Sequence, residues 1–522
     1  MRPQDVQKAK KSVVKIMGVH TTFNWSQPYI DTEEMQFGGT AFFVDPKEFG
    51  DVPFKTDGLR FLLTNFHVVD SIQSKHVEVC IPSKGFNRLR AKAIHVVPTM
   101  DVAILCLDPL GEHPAWRTQE SVPLFLEEIP NLKLNRTPVK GNSQDVTAIG
   151  FPSLSTDYQL CEGCVSGRGL GYLQLNLSLN GGNSGGPLLH KNKVIGICTA
   201  SEADAEAIGL AVPINQILCF FRNWADFSKE LLKIPSWGIH MEILTDEYLK
   251  YHEINNNNDS IQGVLVSKII KKQAGDKSGL KPDDIIMGIH DSKNRYNVDF
   301  DGLVAVEWTD KRVPINDTEF ILSLDPNTIE MCVYKHSKKR RETVKIRPTV
   351  IDFKTDEKHH CWEDIPYVMF GGSVWMDLAM NHMEEDDDEE SIIPTCQSIP
   401  LANEVKRTMN MESIVVCTHI PGQTYMETQR VLKPFDILKK INNVKVKNVN
   451  HMKQLIINLA KNIDKKTHAL FELDRCKLFV DLKQITQQEV ALVEKFPEPL
   501  FTSNIKVKRD RKRRRVYNAI SV

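Results

Sequence analysis

The chain has 522 residues, 41% of them apolar and 25% charged, which excludes a disordered polymer and is enough for about three or four domain-sized units. The formal net charge of -1 falls to -8 once the tail Lys506 to Arg515, with eight bases and one acid, is set aside; the mildly acidic remainder argues against a nucleic-acid-binding core and confines any polyanion contact to the tail. No apolar h-region precedes the first expected strand, no apolar run approaches membrane-spanning length, and the eleven cysteines are odd in number and irregularly spaced, which together point to a cytoplasmic or nuclear protein with buried free thiols.

Taken in chain order, Ser12 to Val19 reads as a strand and Gly38 to Val44 as another, with a polar stretch around Asn24-Trp25-Ser26-Gln27-Pro28 between them. The segment Phe61-Leu62-Leu63-Thr64-Asn65-Phe66-His67-Val68-Val69-Asp70 places His67 at the end of an apolar strand, where a sheet can hold an imidazole. His76 to Ile81, Ala91 to Val97 and Val102 to Leu107 complete about six strands, enough for one small barrel, and Asp101 stands immediately before the last of them. Val146 to Pro152 opens a second barrel, which Lys193 to Thr199 and Ile208 to Val212 continue. Within it, Cys161-Glu162-Gly163-Cys164 has the spacing of a zinc or thiol-exchange pair, but no second Cys or His pair accompanies it, so it reads as strand packing and no metal is expected.

The alternating run Leu173 to Leu179 leads into Gly181-Gly182-Asn183-Ser184-Gly185-Gly186-Pro187. A serine hydroxyl is a weak nucleophile at neutral pH and needs an adjacent base and donors for the oxyanion. Glycines supply the donors, because backbone at positive φ can turn the amides of Gly182 and Ser184 toward one oxygen. Alone, such a turn is only a turn; His67 and Asp101 upstream decide the reading.

Thr64-Asn65-x-His67-Val68-Val69, Asp101-Val102-Ala103-Ile104-Leu105 and Gly182-Asn183-Ser184-Gly185-Gly186-Pro187, in this order, resemble the HtrA/Deg (Do-like) serine proteases. The resemblance implies a mainly β chain, a chymotrypsin-like double β-barrel over about residues 10–230, with His67 and Asp101 of the first barrel meeting Ser184 of the second. It implies Ser184 as nucleophile, His67 as general base and acid, Asp101 as the group that holds the imidazole, and the amides of Gly182 and Ser184 as oxyanion hole. The strand before the nucleophile, with Ser178 and Leu179, Ile195-Gly196-Ile197, and Ile208-Gly209-Leu210-Ala211 would wall the specificity pocket. None carries a carboxylate, so cleavage after aliphatic residues is expected.

After Pro213 the spacing of Ile214, Ile217, Leu218 and Phe221 predicts a helix that closes the second barrel. Ser236-Trp237-Gly238-Ile239-His240, a strand at Gly263 to Ile269, and Ser278-Gly279-Leu280-Lys281-Pro282-Asp283-Asp284-Ile285 resemble a PDZ domain over about residues 236–350. Its peptide-binding loop would be Trp237, Gly238, Ile239 and His240, and a helix from Asp317 to Leu324 would wall the groove. Val368 to Met376 and Val431 to Asn443 repeat the pattern, implying a divergent second PDZ-like α/β domain over about 361–490. The acidic block Glu384 to Glu390 reads as a solvated loop, and the basic tail, 503–522, as either a nuclear-targeting or polyanion-binding segment or a solvated, disordered end. The expected partners are protein or peptide substrates and further copies of the chain, as trimer or hexamer, with no membrane and no cofactor. The reading from another class is a catalytically silent PDZ scaffold or holdase.

Overall fold

The computed structural model describes residues 3–30, 33–50, 60–72, 75–84, 87–107, 126–139, 144–152, 157–169, 171–201, 208–254, 261–383 and 412–492. The chain divides into two compact units, Met1–His20 with Met35–Ile351, and Thr21–Glu34 with Asp352–Val522. The acidic block and the basic tail lie outside the described residues.

In the first unit, helix α1 (Pro3–Lys10) precedes strands β1 (Val13–Thr21), β2 (Glu34–Val44), β3 (Arg60–Thr64), β4 (His76–Ile81), β5 (Asn87–Val97) and β6 (Val102–Leu107). They close as a barrel in the order β1-β2-β3-β6-β5-β4. Strand β6 is buried along its whole length. The alternation of strand side chains explains why: Val102, Ile104 and Cys106 belong to a core that also holds Phe151 and Ile197 from the second barrel, and Ala103, Leu105 and Leu107 on the other face are buried as well, so neither face of β6 meets water.

The second barrel consists of β7 (Lys133–Leu134), β8 (Gln144–Gly150), β9 (Gln159–Gly169), β10 (Tyr172–Asn176), β11 (Pro187–His190), β12 (Lys193–Ser201) and β13 (Ile208–Pro213). The strand order is β11-β8-β9-β10-β13-β12-β7, and a direct β11–β12 pairing closes the ring. Cys161 lies opposite Ala148 and Cys164 opposite Asp145. Three residues apart on one strand, the two thiols leave opposite faces of the sheet and form neither a chelate nor a dithiol. Helix α2 (Ile214–Asn223), entered through Pro213, buries Ile217, Phe220 and Phe221 against the barrels.

The rest of the unit is a smaller α/β assembly. Strands β14 (Pro235–Ser236) and β23 (Thr349–Val350) pair at its two ends. Between them come β15 (Ile239–Ile243), α3 (Asp246–Tyr251), β16 (Val264–Ile269), α4 (Ala274–Lys277), β17 (Ile285–His290), β18 (Arg295–Asn297), β19 (Leu303–Ala305), β20 (Arg312–Pro314), α5 (Thr318–Ser323), β21 (Glu330–Lys335) and β22 (Arg340–Lys345). The main sheet runs β15-β16-β17-β21-β22, leaving β15 at an edge. Helix α5 occupies the position expected from Asp317 to Leu324, with the Asp317 side chain capping its first turn. Its Phe320 and Ile321, with Leu324 just past its end, enter the core of this sheet, whereas Leu322 packs in the barrel core. On the barrel side Arg168 of β9 donates through one nitrogen to both Glu319 carboxylate oxygens at 2.8 Å, and burial raises the Glu319 carboxyl above its ordinary pKa.

The second unit carries β24 (Tyr367–Phe370), β25 (Ser373–Asp377), β26 (Val415–His419), α6 (Tyr425–Gln429), β27 (Ile437–Ile441), β28 (Val444–Lys445), α7 (Val449–Lys461), β29 (His468–Leu473), β30 (Lys477–Asp481) and α8 (Leu482–Leu492). The repeated Lys-Pro-x-Asp-Ile segments have a common physical cause. In each, Pro282 or Pro434 is followed by a residue at positive φ, Asp283 at 72° and Phe435 at 65°, and the turn closes by a bond from Asp284 N to Lys281 O or from Asp436 N to Lys433 O, both 3.2 Å. The buried carboxylate then accepts the lysine amide, at 2.9 Å for Asp284 and 2.8 Å for Asp436, and binds a distant cation, Lys335 in one case and Arg475 in the other.

The units differ at the sheet edge. Strand β25 is paired along its outer side with β24 through the Gly371-Gly372 turn, and Val368 and Phe370 of β24 pack with Val449, Met452 and Ile456 of α7. No strand lies outside β15 among the described residues. Residues 21–34, expected only as a connection between two strands, belong to the second unit: Phe23 stacks near His360, Trp25 meets His382 edge-on, and the Ser26 hydroxyl donates to Thr418 O at 3.2 Å.

Candidate active site

Strand β3 delivers Thr64 and Asn65 into the barrel junction and leaves His67 half exposed. The His67 Nδ1 atom lies 2.9 Å from both carboxylate oxygens of Asp101, and the His67 amide donates to Asp101 Oδ1 at 3.0 Å. The Thr199 hydroxyl donates to Asp101 Oδ2 at 2.6 Å. Asp101 takes a left-handed backbone conformation, φ 48° and ψ 50°, as the chain turns from a short 3-10 segment into β6. The carboxylate is thus fixed on three sides, and a proton on Nδ1 leaves Nε2 free to accept one.

Ser184 sits on the turn between β10 and β11, with Gly182 at φ 93° and Gly185 at φ 85°. The Ser184 carbonyl accepts from Thr40 N at 2.9 Å, and the Gly182 carbonyl accepts from the Thr40 hydroxyl at 2.7 Å. Thr40 belongs to β2, so the first barrel holds the serine turn by its carbonyls. Asn183 N donates to Asn180 O and Gly185 N to Cys198 O. Among the described residues the alternate amides, those of Gly182 and Ser184, donate to no backbone carbonyl. Alternation of this kind leaves two donors of one turn available for a developing oxyanion.

Of the expected pocket wall, Leu179 is buried and Ser178 exposed. A Cβ on Gly209 would stand 3.1 Å from Leu179 Cδ1 and 2.9 Å from Leu177 O, so glycine is what leaves room there. Leu210 is half-buried opposite Gln174. Ile197 is not brought together with them, since it has no exposed surface and packs in the barrel core with Phe151 and Val212.

In the second expected site, the Trp237 side chain is also core: it is 1% exposed and its indole donates to Ile315 O at 2.8 Å. Gly238, at φ 66°, has its amide on the Ser236 hydroxyl at 3.3 Å. Ile239 packs over Gly275, and His240 lies on the edge strand β15 opposite Lys268, its imidazole pKa lowered by burial.

Sequence reasoning missed four residues around the His67, Asp101 and Ser184 segments: Thr40, Asn65, Thr199 and His20. His20 Nε2 lies 3.2 Å from Val68 O, and its ring stacks on Phe37 with centroids 3.9 Å apart. The available signal was polar side chains set into apolar strands, as in Phe61-Leu62-Leu63-Thr64-Asn65, because a buried polar group has to find a partner.

Residues 39–197 match the trypsin-like peptidase domain family. Over 461 residues the chain is 24% identical to the putative protease Do-like 12, mitochondrial, of Arabidopsis thaliana, covering 85% of this chain and 78% of the relative. It is 28% identical over 307 residues to the putative serine protease HhoB of Synechocystis sp. (strain ATCC 27184 / PCC 6803 / Kazusa), covering 54% of this chain and 68% of the relative. Among solved structures, an HtrA-type protease AlgW with decapeptide aligns with 67% of this chain and 98% of its own at 20% identity and a TM-score of 0.44. The protein is a trypsin-like serine endopeptidase. Within that class, the relatives to which the chain is similar over most of its length are named Do-like proteases, of the HtrA/Deg group.

The same relatives correct the expected location. Do-like 12, 4, 3 and 11 of Arabidopsis thaliana, each matched over 85 or 86% of this chain, are named mitochondrial, so the cytoplasmic or nuclear assignment does not stand, and the nuclear-targeting role of the tail falls with it. An apolar h-region marks secretory export alone; mitochondrial addressing uses amphipathic, arginine- and serine-rich segments that a search for apolar runs passes over. Among the described residues no helix is long and apolar enough to cross a membrane.

Proposed function

We propose that the chain cuts unfolded or regulatory protein segments after small or medium aliphatic residues, using Ser184, His67 and Asp101 and consuming no ATP. The observation that carries this is the Asp101 carboxylate 2.9 Å from His67 Nδ1, reached by the same barrel whose Thr40 holds the Ser184 turn. Ser184 Oγ attacks the carbonyl carbon while His67 Nε2 takes its proton, and the oxyanion is received by the amides of Gly182 and Ser184. Collapse expels the amine, which leaves with the proton from the imidazolium. Water then repeats the sequence on the acyl-enzyme, releasing the acid and restoring the hydroxyl. No step transfers a phosphoryl group.

The aliphatic preference is supported by the uncharged wall, Leu179, Gly209 and Leu210 beside Ser178. A buried Lys or Arg side chain there would lack a counter-ion, at a cost of several kcal/mol, whereas one methylene more or less changes selectivity by only about 1 to 3 kcal/mol. The expected result is a loose preference for Val, Ile, Leu, Ala or Met before the scissile bond. It is checked by digesting a denatured protein mixture and mapping the new termini; predominant cleavage after Lys, Arg, Asp or Glu would remove the pocket assignment.

The assemblies at about 236–350 and 361–490 are best read as PDZ-like modules, supported by their shared Lys-Pro-x-Asp-Ile turns. In the first, the edge of β15, which no outer strand takes among the described residues, suits an extended peptide added as a further strand. In the second, β24 already takes the equivalent edge of β25. Assembly into a trimer or hexamer is part of the same proposal, on the family likeness.

A further inference from the structure

We infer that Asn65 is a positioning residue of the hydrolytic site, one buried amide that ties the residue orienting the imidazole to the turn carrying the nucleophile. This rests on the roles proposed for His67, Asp101 and Ser184. Asn65 follows the end of β3, two residues before His67, and has 0% of its surface exposed. Its Nδ2 donates to the Asp101 carbonyl at 2.9 Å, and its Oδ1 accepts from the Gly185 amide at 2.5 Å. The orientation is unambiguous, because a carbonyl only accepts and a backbone amide only donates; the flipped amide would lose both bonds.

Each end of the bridge meets backbone whose placement sets catalytic geometry. Asp101 is held at φ 48°, a conformation that costs a non-glycine residue free energy and persists only when its surroundings enforce it. From that backbone the carboxylate reaches both His67 and Thr199, so rotation of the Asp101 peptide would carry the carboxylate off the imidazole. Gly185 follows Ser184 directly, and its amide already has a second acceptor, the Cys198 carbonyl at 2.9 Å. Loss of the Asn65 oxygen therefore leaves that amide bonded and the fold closed, but removes the partner that comes from the His67 segment. The three residues of the site come from separate stretches of chain; Asn65 touches the backbone of one, that of the neighbour of another, and is two peptides from the third.

The test uses the purified full chain, with Asn65→Leu, which removes both bonds at similar volume, and Asn65→Asp, which keeps the acceptor for Gly185 but turns a second oxygen toward the Asp101 carbonyl. With fluorescently labelled denatured casein as substrate, both variants are expected to lose about 10²-fold in kcat with KM changed less than about threefold, because a misplacement near 1 Å acts on the reacting geometry more than on binding. Thermal melts give the folded fraction at the assay temperature. A kcat per folded molecule equal to that of the unaltered chain in Asn65→Leu, whatever Asn65→Asp does, would overturn the inference and make Asn65 structural only. Ser184→Ala separates this from the site assignment: turnover surviving in Ser184→Ala sinks the proposed site and the inference with it, whereas an inactive Ser184→Ala beside a fully active Asn65→Leu sinks the Asn65 role alone.

Discussion

Asp101→Asn is expected to lower kcat by about 10³- to 10⁴-fold at neutral pH while leaving the melting temperature nearly unchanged, the size of effect that a wrong imidazole tautomer has in Ser-His-Asp triads. The reasoning follows the donors around the carboxylate. The His67 amide points at Oδ1 and can only donate, so the single carbonyl oxygen of an asparagine must stay there. Its NH2 group then falls where Oδ2 was, beside the Thr199 hydroxyl and His67 Nδ1. The hydroxyl can rotate to accept one hydrogen, and Nδ1 becomes the acceptor of the other. The ring proton is thereby moved to Nε2, the atom that has to receive the serine proton. Steady-state kinetics on denatured casein check this; a loss below about tenfold would mean that Asp101 does not set the tautomer.

Gly185→Ala is expected to abolish measurable turnover, a loss above about 10³-fold, and to lower stability by several kcal/mol. Gly185 has φ 85°, and a Cβ there would stand 2.0 Å from Thr40 O and 2.2 Å from Thr64 Oγ1. Neither neighbour can yield cheaply. Thr40 O accepts from Thr64 Oγ1 at 2.8 Å, and Thr40 N holds the Ser184 carbonyl, so movement of either displaces the Ser184 turn. Gly171→Ala is the matched control, with a similar φ of 83° but nothing within 4 Å of the added atom. It should cost only about 1 to 2 kcal/mol of backbone strain and leave kcat intact. Equal effects of the two substitutions, read by kinetics and thermal melts, would contradict the role given to the Thr40 and Thr64 contacts.

The parts of this chain legible in its sequence are those in which a local pattern and its consequence lie within a few residues. Strand β6 announces itself as an unbroken apolar run because both of its faces are covered, and α5 as a capped stretch after Asp317. The His67, Asp101 and Ser184 segments could be placed at strand ends for the same reason. What was not legible depends on contacts over long separations. Asn65 stood in full view in the Thr64-Asn65-Phe66-His67 segment, yet its two partners lie 36 and 120 residues away, and no local rule names them. Ile197 was assigned to the pocket by its strand, but it is the facing of that strand that sends it into the core with Phe151. Residues 21–34 read as a polar connection. Phe23 and Trp25 were the sign that it packs against something, and only the folded chain shows the partners to be His360 and His382.

The most direct measurement is covalent labelling of the purified chain with a fluorophosphonate, followed by peptide mapping, in parallel with casein hydrolysis by the unaltered chain and by Ser184→Ala. The expected result is a single adduct on the peptide that contains Ser184, with both labelling and hydrolysis absent from Ser184→Ala. An adduct at another serine, or casein hydrolysis by Ser184→Ala at the rate of the unaltered chain, would contradict the assignment of Ser184 as the nucleophile.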